Sequence, residues 1–300
     1  MMRGLFAAMV AACALAPLWL SSYGISFCVG LFMAVAIAGS WNLFSGLTGY
    51  ASLGHGIFFG LGAYSFAIAM AVLKWHPVLA FFSAGLVTAV AALLLGLVLL
   101  TTRIRIAYFA IVMLGCNEIA KTLFANLKAT GSANGLTLPS MPSNLVAYYF
   151  LFVVALAITL GTWAITRSRW GLGLKAILAD EVAAEVTGIA TVAHKMAMFV
   201  LSALGLGLTG GMIAWYWSYI DPYMAFDLAV SFDMLVMALF GGVGTVIGPL
   251  LGAVVMTVLK EALSTSIPQF HTILFGVLVV GLVLWRPGGV IDLFRRWSPR

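Results

Sequence analysis

Charged residues are scarce in this 300-residue chain, where they make up 8% of the sequence against 63% for hydrophobic residues. Soluble domains carry roughly a quarter of their residues as charges, so this composition excludes an ordinary soluble protein. The mean hydropathy of +1.13 agrees with that exclusion. Because a membrane-spanning helix needs about 20 apolar residues, we predict an all-α polytopic membrane protein with about ten spans. Residues 1–300 then form one transmembrane domain, which leaves no room for a soluble domain, so we expect any soluble partner domain to be a separate chain.

Cysteine is also rare, and Cys13, Cys28 and Cys116 lie far apart in apolar runs. They form no C-x-x-C pair, which excludes a disulfide framework and a cysteine metal site. We expect all three to be small core residues, and we expect neither a metal nor another cofactor.

Signatures of catalysis and of nucleotide binding are missing from the sequence. None of the six lysines follows a glycine, so there is no G-x-x-x-x-G-K-S/T phosphate loop. The H-E-x-x-H motif and the G-x-S-x-G elbow are missing as well. The chain is therefore not expected to be an enzyme. Its net charge of +6 does not indicate nucleic-acid binding, because the basic residues lie at the ends of apolar runs.

Ten apolar runs are present. They predict spans at residues 5–20, 25–44, 51–73, 78–100, 104–124, 145–165, 196–217, 226–240, 248–263 and 272–285. The first run has the composition of a signal peptide, with one Arg before apolar and small residues. We interpret it as a retained span, because its removal leaves an odd number of spans, which conflicts with the distribution of basic residues.

The basic residues predict the orientation of the spans. With a cytoplasmic N-terminus, eleven of the fifteen lie on the cytoplasmic side: Arg3, Arg103, Arg105, Arg167, Arg169, Lys175, Lys195, Arg286, Arg295, Arg296 and Arg300. The other four are Lys74, Lys121, Lys128 and Lys260. Since cytoplasmic loops carry an excess of Lys and Arg, we predict that both termini and the loop at residues 167–195 are cytoplasmic.

This loop is the longest polar interruption of the chain. Four small apolar residues in it follow a helical spacing of i, i+3, i+4 and i+7: Ala179, Val182, Ala183 and Val186. Gly188 stands where a left-handed turn would end such a helix, and Ile189 is the apolar residue that commonly packs back on that turn. We predict a short helix outside the bilayer, with one face prepared for a partner.

Several stretches of the sequence resemble the branched-chain amino acid permeases of bacterial ABC importers. The run DEVAAEVTGI, preceded by RWGLGLKAI, resembles their cytoplasmic EAA-type loop. The stretches NLFSGLTGYASLGHGIFFGLGAY (residues 42–64), GSANGLTLP (131–139) and GGVGTVIGPLLGA (241–253) are similar to further motifs of the same group. These motifs are spread over most of the chain.

The resemblance implies a permease subunit that carries a solute through the bacterial inner membrane. It implies partners: two ATP-binding subunits, a second permease subunit in a homo- or heterodimer, and a periplasmic substrate-binding protein. The implied solute is a branched-chain amino acid, although the group also transports urea and short amides. The implied ATPase-coupling residues are Asp180, Glu181, Ala184, Glu185 and Gly188. An ordinary solvated helix between two spans is the alternative for this loop.

Two glycine clusters interrupt the hydrophobic pattern. We predict that six of these glycines allow helices to pack closely or to break: Gly46, Gly49, Gly54, Gly241, Gly242 and Gly244. Such interruptions in the two halves of a transporter often flank the pathway.

A few polar residues lie in apolar surroundings, and we take them as candidates for the translocation pathway: Asn42, Ser45, Ser52, His55, Glu118 and Asp233. For His55 the sequence leaves two possibilities open, a hydrogen bond to a neighbouring helix or a place on the pathway. Glu118 can pair with Lys121 at i, i+3 and is expected to face protein or water rather than lipid. If both acids were coupling sites, the chain would be an ion-gradient-driven transporter or channel, which is the alternative function.

The loop at residues 127–144 is rich in Gly, Ser, Asn and Pro and predicts irregular turns on the outer side. It is a candidate contact for a substrate-delivering partner, and a plain solvated connection is the alternative.

Overall fold

A computed structural model describes residues 10–102, 104–266 and 276 of the chain. The helices are α1 (Ser22–Trp41), α2 (Gly56–Ala67), α3 (Pro77–Thr101), α4 (Ile106–Asn126), α5 (Asn144–Arg167), α6 (Arg169–Ala179), α7 (Glu181–Val186), α8 (Thr191–Trp217), α9 (Pro222–Ala225), α10 (Leu228–Gly241) and α11 (Gly248–Ser266). Wider π-helical turns extend α1 over Asn42–Gly46 and α2 over Ile68–Val72. A further helical stretch, residues 10–15, precedes the 3-10 turn Ala16–Leu18.

Serine or aspartate caps the start of many of these helices, as local propensity requires. The side chains that accept a hydrogen bond from the first helical turn are Ser21, Ser143, Ser168, Asp180, Asp221 and Asp227.

Within the described residues, six helices are long and apolar enough to cross a membrane. They are Ser22–Gly46, Pro77–Thr101, Ile106–Asn126, Asn144–Arg167, Thr191–Trp217 and Pro222–Gly241. The chain is an all-α, multi-pass membrane protein, as its composition predicts. The predicted span at residues 51–73 is shorter than expected, since its helix begins only at Gly56 and ends at Val72. The predicted span at 248–263 corresponds to α11, and the span at 272–285 and both termini lie outside the described residues.

The helix α8 lies at the centre of the fold. In its most apolar 18-residue stretch, 67% of the residues are buried, and the helix packs against α1, α2, α3 and α5. Small residues bring the neighbouring backbones together. A Cβ atom on Gly62 of α2 would lie only 2.2 Å from the carbonyl oxygen of Gly207 of α8, so this crossing requires glycine.

The two ends of α5 carry the two non-membrane parts of the fold. The α6–α7 pair follows its C-terminus, and the loop at residues 127–143 precedes its N-terminus. In this loop, β1 (Leu136–Thr137) pairs antiparallel with β2 (Tyr219–Ile220). The sequence predicts irregular turns there, and two 3-10 turns are present, Lys128–Thr130 and Ser132–Asn134. The strand pair was not predicted, because two residues are too few to show a strand pattern.

Candidate functional site

The short helix α7 has a defined beginning and end. The Asp180 carboxylate accepts hydrogen bonds from the backbone amides of Val182 and Ala183, at 2.9 and 3.0 Å. At the other end, Gly188 has φ +87°. Its amide donates to Glu185 O at 2.9 Å, and the amide of Ile189 donates to Ala184 O at 3.1 Å. These two bonds form a Schellman turn, so the predicted left-handed helix end at Gly188 is confirmed.

The two faces of α7 differ in chemistry. Three residues of the predicted apolar stripe lie exposed on α7, among them Val182 at 72% and Val186 at 85%. The fourth, Ala179, instead ends α6, because the helix breaks at Asp180. The opposite face lies against the membrane domain: Ala184 is only 3% exposed, and the side chains of Glu181 and Glu185 are partly buried. A six-residue helix that exposes two valines to water and turns its acids inward offers an apolar surface to another protein.

Glu181 holds α7 against two other parts of the chain. Its carboxylate forms an ion pair with Lys195 of α8 and accepts a hydrogen bond of 2.8 Å from the Tyr50 hydroxyl. Lys195 also donates to the Tyr50 hydroxyl at 3.3 Å, and its Nζ lies 4.4 Å from the centroid of the Tyr50 ring. The Lys195 side chain is 1% exposed, so this cation is satisfied wholly by these groups.

The Tyr50 hydroxyl stays protonated in this environment. Burial, followed by the hydrogen bond to Glu181, raises the pKa of Tyr50 above its ordinary value. The hydroxyl therefore remains a donor to Glu181 over the physiological pH range.

A second bond holds the C-terminal end of α7, because Thr191 Oγ1 donates to Glu185 at 2.7 Å.

Tyr50 belongs to an interrupted segment, residues 42–55, between α1 and α2. The segment begins with the π-helical turn Asn42–Gly46, remains helical through Thr48 and then has no regular structure until the start of α2. Ser45 Oγ accepts from the amide of Ser52 at 3.2 Å, and the indole of Trp41 donates to Ser52 O at 2.8 Å. Nearly every side chain in the segment is buried, which is the setting in which a membrane protein tolerates broken backbone.

The two glycine clusters meet at Asn42. Its side-chain amide donates to Thr245 O at 3.0 Å and accepts from the Gly244 amide at 2.8 Å. Thus the interrupted segment at the end of α1 and the turn between α10 and α11 are in direct contact.

The six candidate packing glycines lie in or beside these two breaks: Gly46 ends the π-helical turn, Gly49 and Gly54 follow it, Gly241 ends α10, and Gly242 and Gly244 form the next turn. The clearest close approach is at Gly54, where a Cβ atom would lie 1.8 Å from Met113 O of α4.

His55 is fully buried at the start of α2. Its Nε2 lies 2.8 Å from Ser202 Oγ of α8, so the sequence alternative of a hydrogen bond to a neighbouring helix is present. Its ring stacks on Phe44 at 5.7 Å and meets Phe58 and Phe199 edge-on at 5.3 and 5.6 Å. The Nδ1 atom has no hydrogen-bond partner. Aromatic rings therefore pack around this residue, and Ser202 is its polar contact.

The two acids lie in more open places than the other candidates. The Glu118 side chain is 37% exposed and pairs with Lys121 at 2.6 Å, as its spacing predicts. The Asp233 side chain is 34% exposed, and its carboxylate lies 3.7 Å from Lys260 Nζ. Over the described residues, no group of three or more His, Cys, Asp or Glu side chains is arranged to hold a metal.

A family described as "Branched-chain amino acid transport system / permease component" matches residues 24–283, most of the chain. The chain belongs to this permease family. It is 31% identical to the high-affinity branched-chain amino acid transport system permease protein LivM of Salmonella typhimurium, over 85% of this chain and 66% of LivM. LivM of Escherichia coli is 30% identical over the same shares. LivH of Salmonella typhimurium is 24% identical over 59% of this chain and 56% of LivH.

The chain therefore matches slightly less than two thirds of the length of either LivM protein. No solved structure matches the chain.

Residues that sequence reasoning missed in this permease are the partners of the candidates. Lys195, Tyr50 and Ser202 complete contacts with Glu181 and His55, and Ser231 Oγ accepts from the amide of Gly56 at 2.8 Å. These partners are more than a hundred residues away in sequence in most cases, and no local pattern marks them. The helical spacing of the sequence, in contrast, did predict that Val182 and Val186 share one face.

Proposed function

We propose that the chain is the membrane-spanning subunit of a binding-protein-dependent ABC importer for branched-chain amino acids, driven by ATP hydrolysis in a separate subunit. The outward apolar face of α7 carries this proposal. A permease-family chain that presents Val182 and Val186 on a helix capped by Asp180 and Gly188 has a surface suited to a cleft of an ATP-binding subunit. The protein lies in the bacterial inner membrane with about ten spans and both termini cytoplasmic.

The five candidate coupling residues have two different roles in this proposal. Asp180 and Gly188 set the two ends of α7, whereas Glu181, Ala184 and Glu185 hold it from behind. The valines make the direct contact. Movement of α7 during ATP-driven closure of the ATPase pair then tilts the helices around the interrupted segments, which gives alternating access.

The translocation pathway runs beside residues 42–55. Asn42, Ser45, Ser52 and His55 lie together in this interrupted segment, which contacts the second break at Gly244. Broken helices at corresponding places in two halves are typical of transport pathways. The aromatic rings around His55 suit a solute with an apolar side chain, and urea or a short amide is the alternative solute.

The second permease subunit packs on α4. This span is the least apolar of the six, and only 22% of its most apolar 18-residue stretch is buried within the chain. Its outer surface carries Glu118, Thr122 and Asn126 at i, i+4 and i+8, beside a groove. Polar residues on a membrane helix are costly against lipid, so a protein partner covers this face and the groove becomes part of the pathway between the subunits.

The periplasmic binding protein docks at the opposite end of the chain from α7. The loop at residues 127–143 is held there by the β1–β2 pair and by the bond from the amide of Leu138 to Ser218 O, at 2.9 Å. An ordered loop presents a defined surface to a partner.

Ion-gradient coupling is disfavoured because both acids it needs, Glu118 and Asp233, are paired with lysines.

The test is a pull-down of the tagged chain from its own host in mild detergent, followed by identification of partners and an ATPase assay. We expect an ATP-binding subunit to be recovered with the natural chain and lost with Val186→Asp, which places a charge on the docking face. Val186→Leu is the matched control and should retain the subunit. Recovery of the subunit with Val186→Asp would refute the docking face. A chain recovered without any ATP-binding subunit, with uptake that persists in ATP-depleted vesicles under an ion gradient, would support the rival function.

A further inference from the structure

The ion pair of Glu181 joins three parts of the chain that are distant in sequence. Glu181 is on α7, Lys195 is on α8, and Tyr50 is in the interrupted segment. These contacts use the inward face of α7, so the same helix is exposed to a partner on one side and attached to the candidate pathway on the other.

We propose that Tyr50, Glu181 and Lys195 are positioning residues that transmit movement of α7 to the interrupted segment and thereby couple ATP hydrolysis to translocation. This inference rests on the proposed importer function. It assigns to Glu181 a role in transmission and no direct contact with the ATP-binding subunit, because α7 remains held by its two caps and by the bond between Thr191 and Glu185.

The buried cation makes the connection stiff. Lys195 Nζ is satisfied by the Glu181 carboxylate, the Tyr50 hydroxyl and the Tyr50 ring. Because a buried charge without a partner is costly, α7 cannot withdraw from α8 while Lys195 stays in place. The three groups therefore move together when α7 is displaced.

The connection continues from Tyr50 towards His55 through aromatic rings. Tyr50 meets Phe109 of α4 edge-on at 5.5 Å, Phe109 lies 5.6 Å from Phe44, and Phe44 stacks on His55. These rings form one packed network, and packed networks of this kind can carry coupling between sites.

A second contact attaches the same segment to the helix before α7. A Cβ atom on Gly49 would lie 2.9 Å from Leu178 Cδ1 of α6, and Gly49 has φ +79°. The segment is therefore in contact with both helices of the α6–α7 pair, which adds a packing contact to the polar one.

The test uses the complete importer, with its co-purified partner subunits, in proteoliposomes supplied with labelled leucine. The variant is Glu181→Gln/Lys195→Met, which removes both charges of the pair, so that no buried ion is left alone. We expect the ATP-binding subunit to remain bound and ATP hydrolysis to persist, while leucine taken up per ATP falls by about 5-fold or more, the lower range of a typical coupling free energy. The reversed pair Glu181→Lys/Lys195→Glu should recover part of the ratio.

A milder pair of variants keeps the test decisive if the charge variants do not fold. Tyr50→Phe removes only the hydroxyl, and we expect a smaller fall in the same ratio. Tyr23→Phe is its matched control, because the Tyr23 hydroxyl also donates to a glutamate, Glu261, away from α7. An unchanged ratio in the Tyr50 and charge variants, or a parallel loss of uptake and hydrolysis, would overturn the inference. Absence of an ATP-binding subunit from the natural complex would instead overturn the proposed function.

Discussion

Removing the charge of Glu181 should destabilise the protein more than removing the charge of its partner. Glu181→Gln leaves the ammonium group of Lys195, whose side chain is 1% exposed, without the carboxylate of its ion pair. Breaking a buried ion pair in this way costs about 3–5 kcal/mol. Lys195→Met leaves a Glu181 carboxylate whose side chain is 26% exposed and which still accepts from Tyr50. The loss is then that of a charged hydrogen bond, about 1.5–3 kcal/mol.

The two substitutions together should cost less than Glu181→Gln alone, since the double variant contains no stranded ion. The stabilities are ranked by heating the detergent-solubilised protein and measuring, by size-exclusion chromatography, how much folded protein remains. We expect the natural protein to be the most stable, followed by Lys195→Met, with Glu181→Gln the least stable. Lys260→Met is the control: its pair with Asp233 is longer and Lys260 is 57% exposed, so it should contribute only about 0–1 kcal/mol. A ranking in which Lys195→Met is the least stable would refute the argument from burial.

Three further predictions concern other parts of the site. Gly188→Leu forces a branched side chain into φ +87°, which should lower the stability of the protein by about 1–3 kcal/mol. It should also weaken recovery of the ATP-binding subunit. Gly188→Asn should have a smaller effect on both, because Asn tolerates this conformation. Asn42→Ala leaves the Gly244 amide and Thr245 O without their bonds and should lower the unfolding temperature, whereas Asn126→Ala, which loses a bond within an exposed helix turn, should not. A photo-crosslinker at Ile119, 69% exposed on α4, should capture a second permease subunit, and capture of lipid alone would contradict the proposed interface.

Local rules predicted only the C-terminal end of α7 from the sequence. A glycine after the last turn commonly ends a helix, and Gly188 has the predicted left-handed geometry. The cap by Asp180 follows an equally local rule but was not predicted, because the apolar spacing placed Ala179 in the same helix. The same rules predicted the outward stripe, because helical spacing alone places Val182 and Val186 on one face. The composition likewise predicted the polytopic, all-α class.

Long-range contacts explain what the sequence could not reveal. Which face of α7 turns inward depends on Lys195 and Tyr50, and Tyr50 is 131 residues from Glu181. The contact between Asn42 and Gly244 spans 202 residues. Spacing within one helix carries no information on such partners, so the link between α7 and the interrupted segment was not predictable. The predicted span at residues 51–73 is also not among the six helices long enough to cross a membrane, because its helix begins only at Gly56.

The docking face of α7 depends on the contacts behind it. A helix of six residues is too short to be stable alone in water, and its exposed surface is apolar. The caps at Asp180 and Gly188 satisfy its backbone ends, while Glu181 and Glu185 attach it to Lys195 and Thr191. The inward contacts thus keep Val182 and Val186 presented to a partner, and they also attach that partner's surface to residues 42–55. In our proposal, docking and transmission are two consequences of one arrangement, and the variants that separate them must therefore preserve the charge balance around Lys195.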